Sequence, residues 1–259
     1  MQPIQLLEPG VVGKIAAGEV VERPASAIKE LVENSIDADA TAITVEIRDG
    51  GISYFRVTDN GCGIPAEQIR LAFARHATSK IRTENDLYEV GTLGFRGEAL
   101  FSIASISKVK LTTRTREMAY AASATVEGGA ISDIEEAAGA LGTTLVVRDL
   151  FYNTPVRLKF LKKPAYEASL VADYMMRLVL SHPEISFRYV QQGKTIYQSA
   201  GDGKLASALF ATYGKEAVRQ MRCVTGHESG LLLEGYVGVG EMSRGNRLGP
   251  TLLINGCYV

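Results

Sequence analysis

The chain has 259 residues, 46% hydrophobic and 22% charged, with a net charge of −1; it can bury one large core, or one core plus a smaller second domain, and its overall charge gives no general affinity for nucleic acid. Three scattered cysteines (Cys62, Cys223, Cys257) and three isolated histidines (His76, His182, His227) exclude a disulfide framework, a zinc knuckle and an H-E-x-x-H metal site. No apolar run approaches the roughly 18 residues of a spanning helix, and the chain reads as soluble and cytoplasmic.

Pro24 suits the first turn of a helix, and residues 24 to 36 read as amphipathic. Ile28, Leu31, Val32 and Ser35 recur at helical spacing toward a core, while Glu30, Asn34 and Asp37 share the opposite stripe. Ile43, Val45 and Ile47 then alternate with polar residues, Asp49-Gly50-Gly51 supplies a turn, and residues 52–58 alternate again, predicting a β-hairpin with a three-residue loop. On its second strand Phe55, Val57 and Asp59 share a face, so Asp59 ends an apolar stripe just before the turn "DNGCGIP". A helix over 66–76 follows, then lysine-bearing "ATSKIRTEND", then the glycine-punctuated "GTLGFRGEALFSIAS" running into an apolar helix.

Residues 109–148 read mostly as strands, with turns at Gly128-Gly129 and over 139–142. Leu170, Val171, Tyr174 and Leu178 mark a helix over 166–181, which His182-Pro183 stops. A hairpin over 185–198 precedes a boundary at Asp202-Gly203. Beyond it lie a helix over 204–213 and strands near 231–239 and 251–259. The chain stops inside the last of these, which reads as a truncated end.

Four groups of residues could carry chemistry. No G-x-x-x-x-G-K-[ST] occurs, and "GVGEMS" lacks the third glycine of a dinucleotide loop. Gly94-Phe95-Arg96-Gly97 stands just before a helix, where amides and the positive dipole end hold phosphate without lysine; an ordinary loop-to-helix cap is the plainer reading. Asp59 must find donors, because an unpaired buried charge costs several kcal/mol. It could cap its own "DNG" turn, or accept from an adenine amino group, where guanine would set oxygen against oxygen. Asn34 is a neutral oxygen ligand able to complete a Mg²⁺ shell of phosphate and water oxygens. Glu30, one turn earlier, could orient and deprotonate a water, with Glu33 on the flank as competitor; a solvated acidic face is the alternative. Basic residues cluster twice, as Arg157, Lys159, Lys162 and Lys163, and as Arg75, His76, Lys80 and Arg82, where a charge run is usually just wet.

The order of these segments carries more than any one of them. "IAAGEVVERPAS", "ELVENSIDA", "DNGCGI", "HATSKI", "GTLGFRGEAL" and "GTTLVVRDLFYNTPVRLKFL" together resemble, end to end, the N-terminal ATPase region of the MutL DNA mismatch repair family. "GFRGEAL" combined with "DLFYNTPVR" is the specific part. The wider class is the gyrase B, Hsp90 and histidine-kinase superfamily. The resemblance implies an α+β chain built as a Bergerat-type α/β sandwich, with helices over a mixed sheet. An ATP-binding domain would span 1–201, with an N-terminal dimerisation segment (about 1–23) and a lid (about 75–97), and 202–259 would be an incomplete second domain.

By the same resemblance Glu30 matches the general base, Asn34 the Mg²⁺ ligand and Asp59 the adenine partner. Gly61 and Gly63 would shape the adenine pocket. Thr78, Ser79 and Lys80 would sit in the lid and phosphate loop with Gly94, Phe95, Arg96, Gly97, Glu98, Ala99 and Leu100, and Thr143 would lie beside the base. ATP and Mg²⁺ are the implied cofactors. Implied partners are a MutS-type mismatch recognition protein, DNA through local basic surface, a nicking endonuclease, a helicase, and a second copy of the chain. The chain departs from the family in Asp39, where "DAGA" usually has glycine, which predicts a local turn adjustment. The family's γ-phosphate lysine would lie beyond Val259, implying weak hydrolysis. Rival readings are a topoisomerase subunit, a chaperone, a histidine kinase, or a nucleotide-binding module without catalysis.

Overall fold

A computed structural model describes residues 13, 17–18, 20–80, 97–240, 251–254 and 257–258. Its centre is a nine-stranded mixed sheet. β1 (Ala42–Arg48) and β2 (Tyr54–Asp59) form a hairpin; β3 (Lys108–Arg114), β4 (Ala121–Glu127), β5 (Ala130–Ile131), β6 (Glu135–Ala137), β7 (Gly142–Arg148), β8 (Ser186–Gln191) and β9 (Lys194–Gln198) follow. In space the order is β5-β4-β3-β7-β2-β1-β8-β9, with β6 against β4. β1 and β8 are parallel. The connection from β7 to β8 runs through the Pro164–Ser181 helix, which gives the chain the length it needs to return in the same direction.

Alternation along the strands decides which face is covered. Ile43, Val45 and Ile47 of β1, Phe55 and Val57 of β2, Val109 and Leu111 of β3, Leu145 and Val147 of β7, and Phe187 and Tyr189 of β8 are buried in one core. Over them lie Ile28, Leu31 and Val32 of the Pro24–Asp37 helix, Ile103 of the Ala99–Ser105 helix, and Val171, Met175 and Leu178 of the Pro164–Ser181 helix. The opposite face is polar: Thr144 Oγ1 donates to Thr58 Oγ1, Glu46 pairs with Arg56, and Arg148 stands over the Tyr54 ring. The result is the expected two-layer α/β sandwich.

Several boundaries differ from the sequence reading. The β1–β2 connection has five residues, not three: Asp49 adopts φ 49°, Ile52 N–H closes on Asp49 O, and the Ser53 hydroxyl donates to Asp49, which delays β2 to Tyr54. The helix expected over 66–76 reduces to a 3₁₀ turn and Ile69–Ala72, because Phe73 turns into the core and His76 takes φ 61°. The helix expected over 204–213 runs Leu205–Arg219, broken at Gly214 (φ 80°, ψ 170°) immediately after its expected end. β10 (Met221–Glu228), which the sequence reading missed, pairs with β11 (Leu231–Gly238) in a separate two-stranded sheet. The last expected strand is a small hairpin of β12 (Leu253–Ile254) and β13 (Cys257–Tyr258).

Asp39 explains how the opening helix stops. Its φ of 57° is left-handed, Ala40 N–H donates to Ser35 O and Asp39 N–H donates to Ile36 O. These two bonds are a Schellman stop with aspartate where glycine is usual. The Asp39→Gly exchange relieves up to about 1–2 kcal/mol of Cβ crowding and loses about 0.4–1 kcal/mol through a looser unfolded chain. A net gain of roughly 0.5–1 kcal/mol is expected, read as a higher urea midpoint at unchanged slope. An unchanged or lower midpoint would mean that the Asp39 side chain returns what its Cβ costs.

Candidate functional site

Asp59 sits where three elements meet. Its Oδ1 accepts from Gly61 N–H at 2.9 Å, in its own turn, and from Thr143 N–H at 3.1 Å, at the start of β7. Its Oδ2 accepts from the Ser35 hydroxyl at 2.9 Å, on the opening helix. Burial pushes the Asp59 carboxyl above the ordinary aspartate range, and the bonds from Gly61, Ser35 and Thr143 oppose that rise. A carboxylate has about four acceptor positions. Both on Oδ1 are filled and one on Oδ2 is filled, leaving Oδ2 room for a further donor.

The turn after Asp59 is held tightly. Asn60 Oδ1 accepts from Thr41 N–H and Ala42 N–H, fixing the start of β1. Gly61 allows close approach: a Cβ there would stand 2.6 Å from Ala38 O. Gly63 has φ +76°, and its Cβ would stand 2.3 Å from Arg114 O. Ile64 N–H donates to Thr113 Oγ1, which also lies 3.1 Å from Thr143 Oγ1. Gly61 and Thr143 are thus brought to Asp59, while Gly63 packs against Arg114 at the end of β3.

The opening helix divides its polar side chains among three neighbours. Glu33 turns inward, bonding Lys29 at 2.8 Å and Tyr174 of the Pro164–Ser181 helix at 3.5 Å, and burial raises its carboxyl above the usual range. Glu30 shares the same Lys29, at the longer distance of 3.9 Å, and its side chain is 28% exposed where that of Glu33 is 11%. Asn34 and Asp37 face Lys80, whose Nζ donates to Asn34 Oδ1 at 2.8 Å and to Asp37 Oδ2 at 2.5 Å. Asn34 Oδ1 and Asp37 therefore already hold a cation, the ammonium, and their oxygens suit a hard divalent ion as well. Among the described residues no cluster of three or more His, Cys, Asp or Glu could hold a metal. A divalent ion here would need oxygens from its ligand.

Thr78 Oγ1 accepts from Lys80 N–H, and Ser79 is exposed beside it. Gly97 lies against Ala77, whose carbonyl oxygen a Cβ at 97 would meet at 2.7 Å. Gly97 is thus a neighbour of Ala77, the residue before Thr78. Glu98 pairs with Arg75 and His76. Ala99 opens the Ala99–Ser105 helix and Leu100 packs on the core. Gly94, Phe95 and Arg96, residues 81–96 of the lid, and most of the N-terminal segment lie outside the described residues.

Sequence reasoning missed Ser35 and Thr113 as site residues, and placed Asp37 on the same stripe as Glu30 and Asn34 without giving it a role. Ser35 gave a signal, being a hydroxyl on an apolar stripe that must find a partner. Of the basic clusters, Arg157 donates to Val21 O at 2.9 Å and lies against Gly18, a structural use. An open depression of about 630 Å³, lined by Gln198, Ser207, Phe210 and Val218 among others, has no titratable side chain and lies apart from Asp59.

A family profile described as histidine kinase-, DNA gyrase B-, and HSP90-like ATPase matches residues 22–139. The chain is 48% identical over its full 259 residues to the DNA mismatch repair protein MutL of Shouchella clausii (strain KSM-K16), covering 39% of that protein. It is 46% identical to the same-named protein of Agathobacter rectalis, again over the whole chain and 40% of that protein. The chain therefore spans about two fifths of the length of the curated relatives it matches. Among solved structures, the Aquifex aeolicus MutL ATPase domain complexed with ADP is similar at TM-score 0.71 and 29% identity, over 93% of this chain and 84% of that one. The ATPase domain from the bacterial mismatch repair endonuclease Aquifex aeolicus MutL is similar at TM-score 0.69 and 30% identity, over 93% and 80%.

The raised Asp59 carboxyl sets a pH dependence. It binds its proton more tightly folded than unfolded, so its contribution favours the fold at low pH and is withdrawn as pH climbs from the ordinary value of 3.8 through the raised one. Against Asp59→Asn, the ligand-free wild type should lose relative stability from about pH 4 upward and level off above the raised value. A difference independent of pH, measured by urea unfolding across that window, would contradict the assignment.

Proposed function

We infer that this chain, which belongs to the MutL family of DNA mismatch repair proteins, is an ATP-operated switch. The observation that carries this reading is the remaining acceptor position on Asp59 Oδ2, beside a glycine turn and an oxygen-bearing helix face. The exocyclic amino group of adenine fills that position as donor. Guanine presents a carbonyl there, and two oxygens without a proton between them repel. The neighbouring ATPase domain solved with ADP supports a nucleotide on this fold.

The roles on the helix follow from how its acids are spent. Glu33 is buried between Lys29 and Tyr174, and the more exposed Glu30, which Lys29 meets only at 3.9 Å, is the acid placed to orient the attacking water and take its proton. Asn34 would hold Mg²⁺ through Oδ1, with Asp37 close by. When bound, the ion neutralises charge on the phosphates and steadies the leaving oxygen. Thr78, Ser79, Lys80 and Gly97 stand on the phosphate side, and Gly94, Phe95, Arg96, Glu98, Ala99 and Leu100 complete that side in the family pattern. Residues 1–201 form the nucleotide domain and 202–259 part of a second one.

ATP binding closes two copies of the chain into a clamp, and hydrolysis reopens it; the difference in phosphate contacts supplies the bias between the two forms. In the whole protein this state links a MutS-type mismatch sensor to a nicking endonuclease and a helicase. DNA contact comes from local basic surface such as Lys159, Lys162 and Lys163, and weakens steeply with salt.

Thermal shift with Mg²⁺ and each nucleotide tests the reading. ATP at about 100 times its dissociation constant stabilises by about 2.7 kcal/mol, and GTP at equal concentration should give little. Equal shifts, or none, would refute the adenine assignment. The Glu30→Ala variant should keep the ATP shift while turnover falls by roughly 10²–10⁴-fold. Parallel loss of shift and turnover would remove Glu30 from the base role.

A further inference from the structure

The Lys80 ammonium occupies the very oxygen assigned to the divalent ion. It reaches Asn34 Oδ1 at 2.8 Å and Asp37 Oδ2 at 2.5 Å across more than 40 residues of sequence. The contact is sheltered, with the Lys80 side chain 18% exposed and that of Asp37 7%. The lysine is also held from behind, because its N–H donates to Thr78 Oγ1. The opening helix fixes the two oxygens in turn: Ser35, between them in sequence, is bonded to Asp59.

A divalent ion needs Asn34 Oδ1 at about 2.1 Å, in an ordered oxygen shell. The ammonium cannot remain on that oxygen at the same time, since its hydrogens would point at a like charge. Bare metal must therefore evict Lys80 into water, with no phosphate to receive the displaced charge. Metal arriving on a nucleotide brings phosphate oxygens, which accept the ammonium as it leaves.

We propose that Lys80 is a resident counter-cation that reserves Asn34 and Asp37 for metal delivered with nucleotide and keeps bare divalent ions out. This rests on the nucleotide reading above. Lys80 is then a positioning residue, setting the order in which the site loads. A merely structural Lys80–Asp37 pair would steady the chain around residue 80 without altering the affinity for bare metal.

The test uses Mn²⁺ as probe, with free ion followed by electron paramagnetic resonance and the full chain held without nucleotide. Wild type should take up bare Mn²⁺ at least 10-fold more weakly than Lys80→Met, while Lys80→Arg, which keeps a cation, should behave as wild type. With a non-hydrolysable ATP analogue present, wild type should take up Mn²⁺ readily, counted as the loss of free ion beyond what the same concentration of analogue removes without protein. Lys80→Gln is read in place of Lys80→Met should the latter fail to unfold cooperatively. Equal uptake of bare Mn²⁺ by wild type and the uncharged variant, with normal uptake on the analogue, would overturn this proposal and leave the nucleotide reading standing. Wild type binding bare Mn²⁺ as tightly as with the analogue would overturn it without any variant. Failure of wild type to take up Mn²⁺ even with the analogue would remove the nucleotide reading, and this one with it.

Discussion

The Asp59 carboxylate ties together parts of the chain that are distant in sequence. Burying it costs several kcal/mol unless donors replace water, and the donors come from three places: a helix hydroxyl, a turn amide and a strand amide. Each constrains its own element. Ser35 fixes the rotation of the opening helix over β2, Gly61 fixes the turn, and Thr143 fixes the start of β7 beside it. The opening helix can then present Asn34 and Asp37 in only one direction. A site whose acceptor is also its structural knot arrives pre-organised, so a ligand need not order it.

The opening helix also shows how one surface can be both core and site. Residues one position apart point to different neighbours. Glu33 serves the contact with the Pro164–Ser181 helix, where Tyr174 is itself pushed well above the usual tyrosine range by burial and by that carboxylate. Asn34 and Asp37 meet Lys80, and Ser35 meets Asp59. The Schellman stop at Asp39 ends the helix just where the Asp59 turn passes beneath, with Cys62 N–H donating to Ala38 O. Length, stop and turn are therefore one constraint seen from three sides.

Much of this was legible in the sequence, because periodicity and turn chemistry are local. Pro24 marked the helix start, alternation marked β1 and β2, and Asp59 stood out as a charge closing an apolar stripe. The unusual Asp39 suggested an adjusted turn, whereas the chain keeps there the left-handed Schellman geometry that glycine usually supplies. What escaped was non-local. Nothing near residue 80 says that its ammonium meets Asn34 and Asp37, since only the fold brings them together. β10 escaped because "MRCVTGHE" mixes charge into its alternation, although the Ser229-Gly230 turn with positive φ at both residues joins it to β11. The early end of the helix at Ile69–Ala72 escaped because burial of Phe73, a tertiary event, overrides local helix preference.

The central claim is that Asp59 is kept as an acceptor with one position reserved for a purine amino group. A crystal structure of the chain with Mg²⁺ and a non-hydrolysable ATP analogue tests it most directly. The account predicts the exocyclic amine donating to Asp59 Oδ2 while Ser35, Gly61 and Thr143 keep their bonds. A purine seated away from Asp59, or one that displaces Ser35 to reach it, would contradict the account.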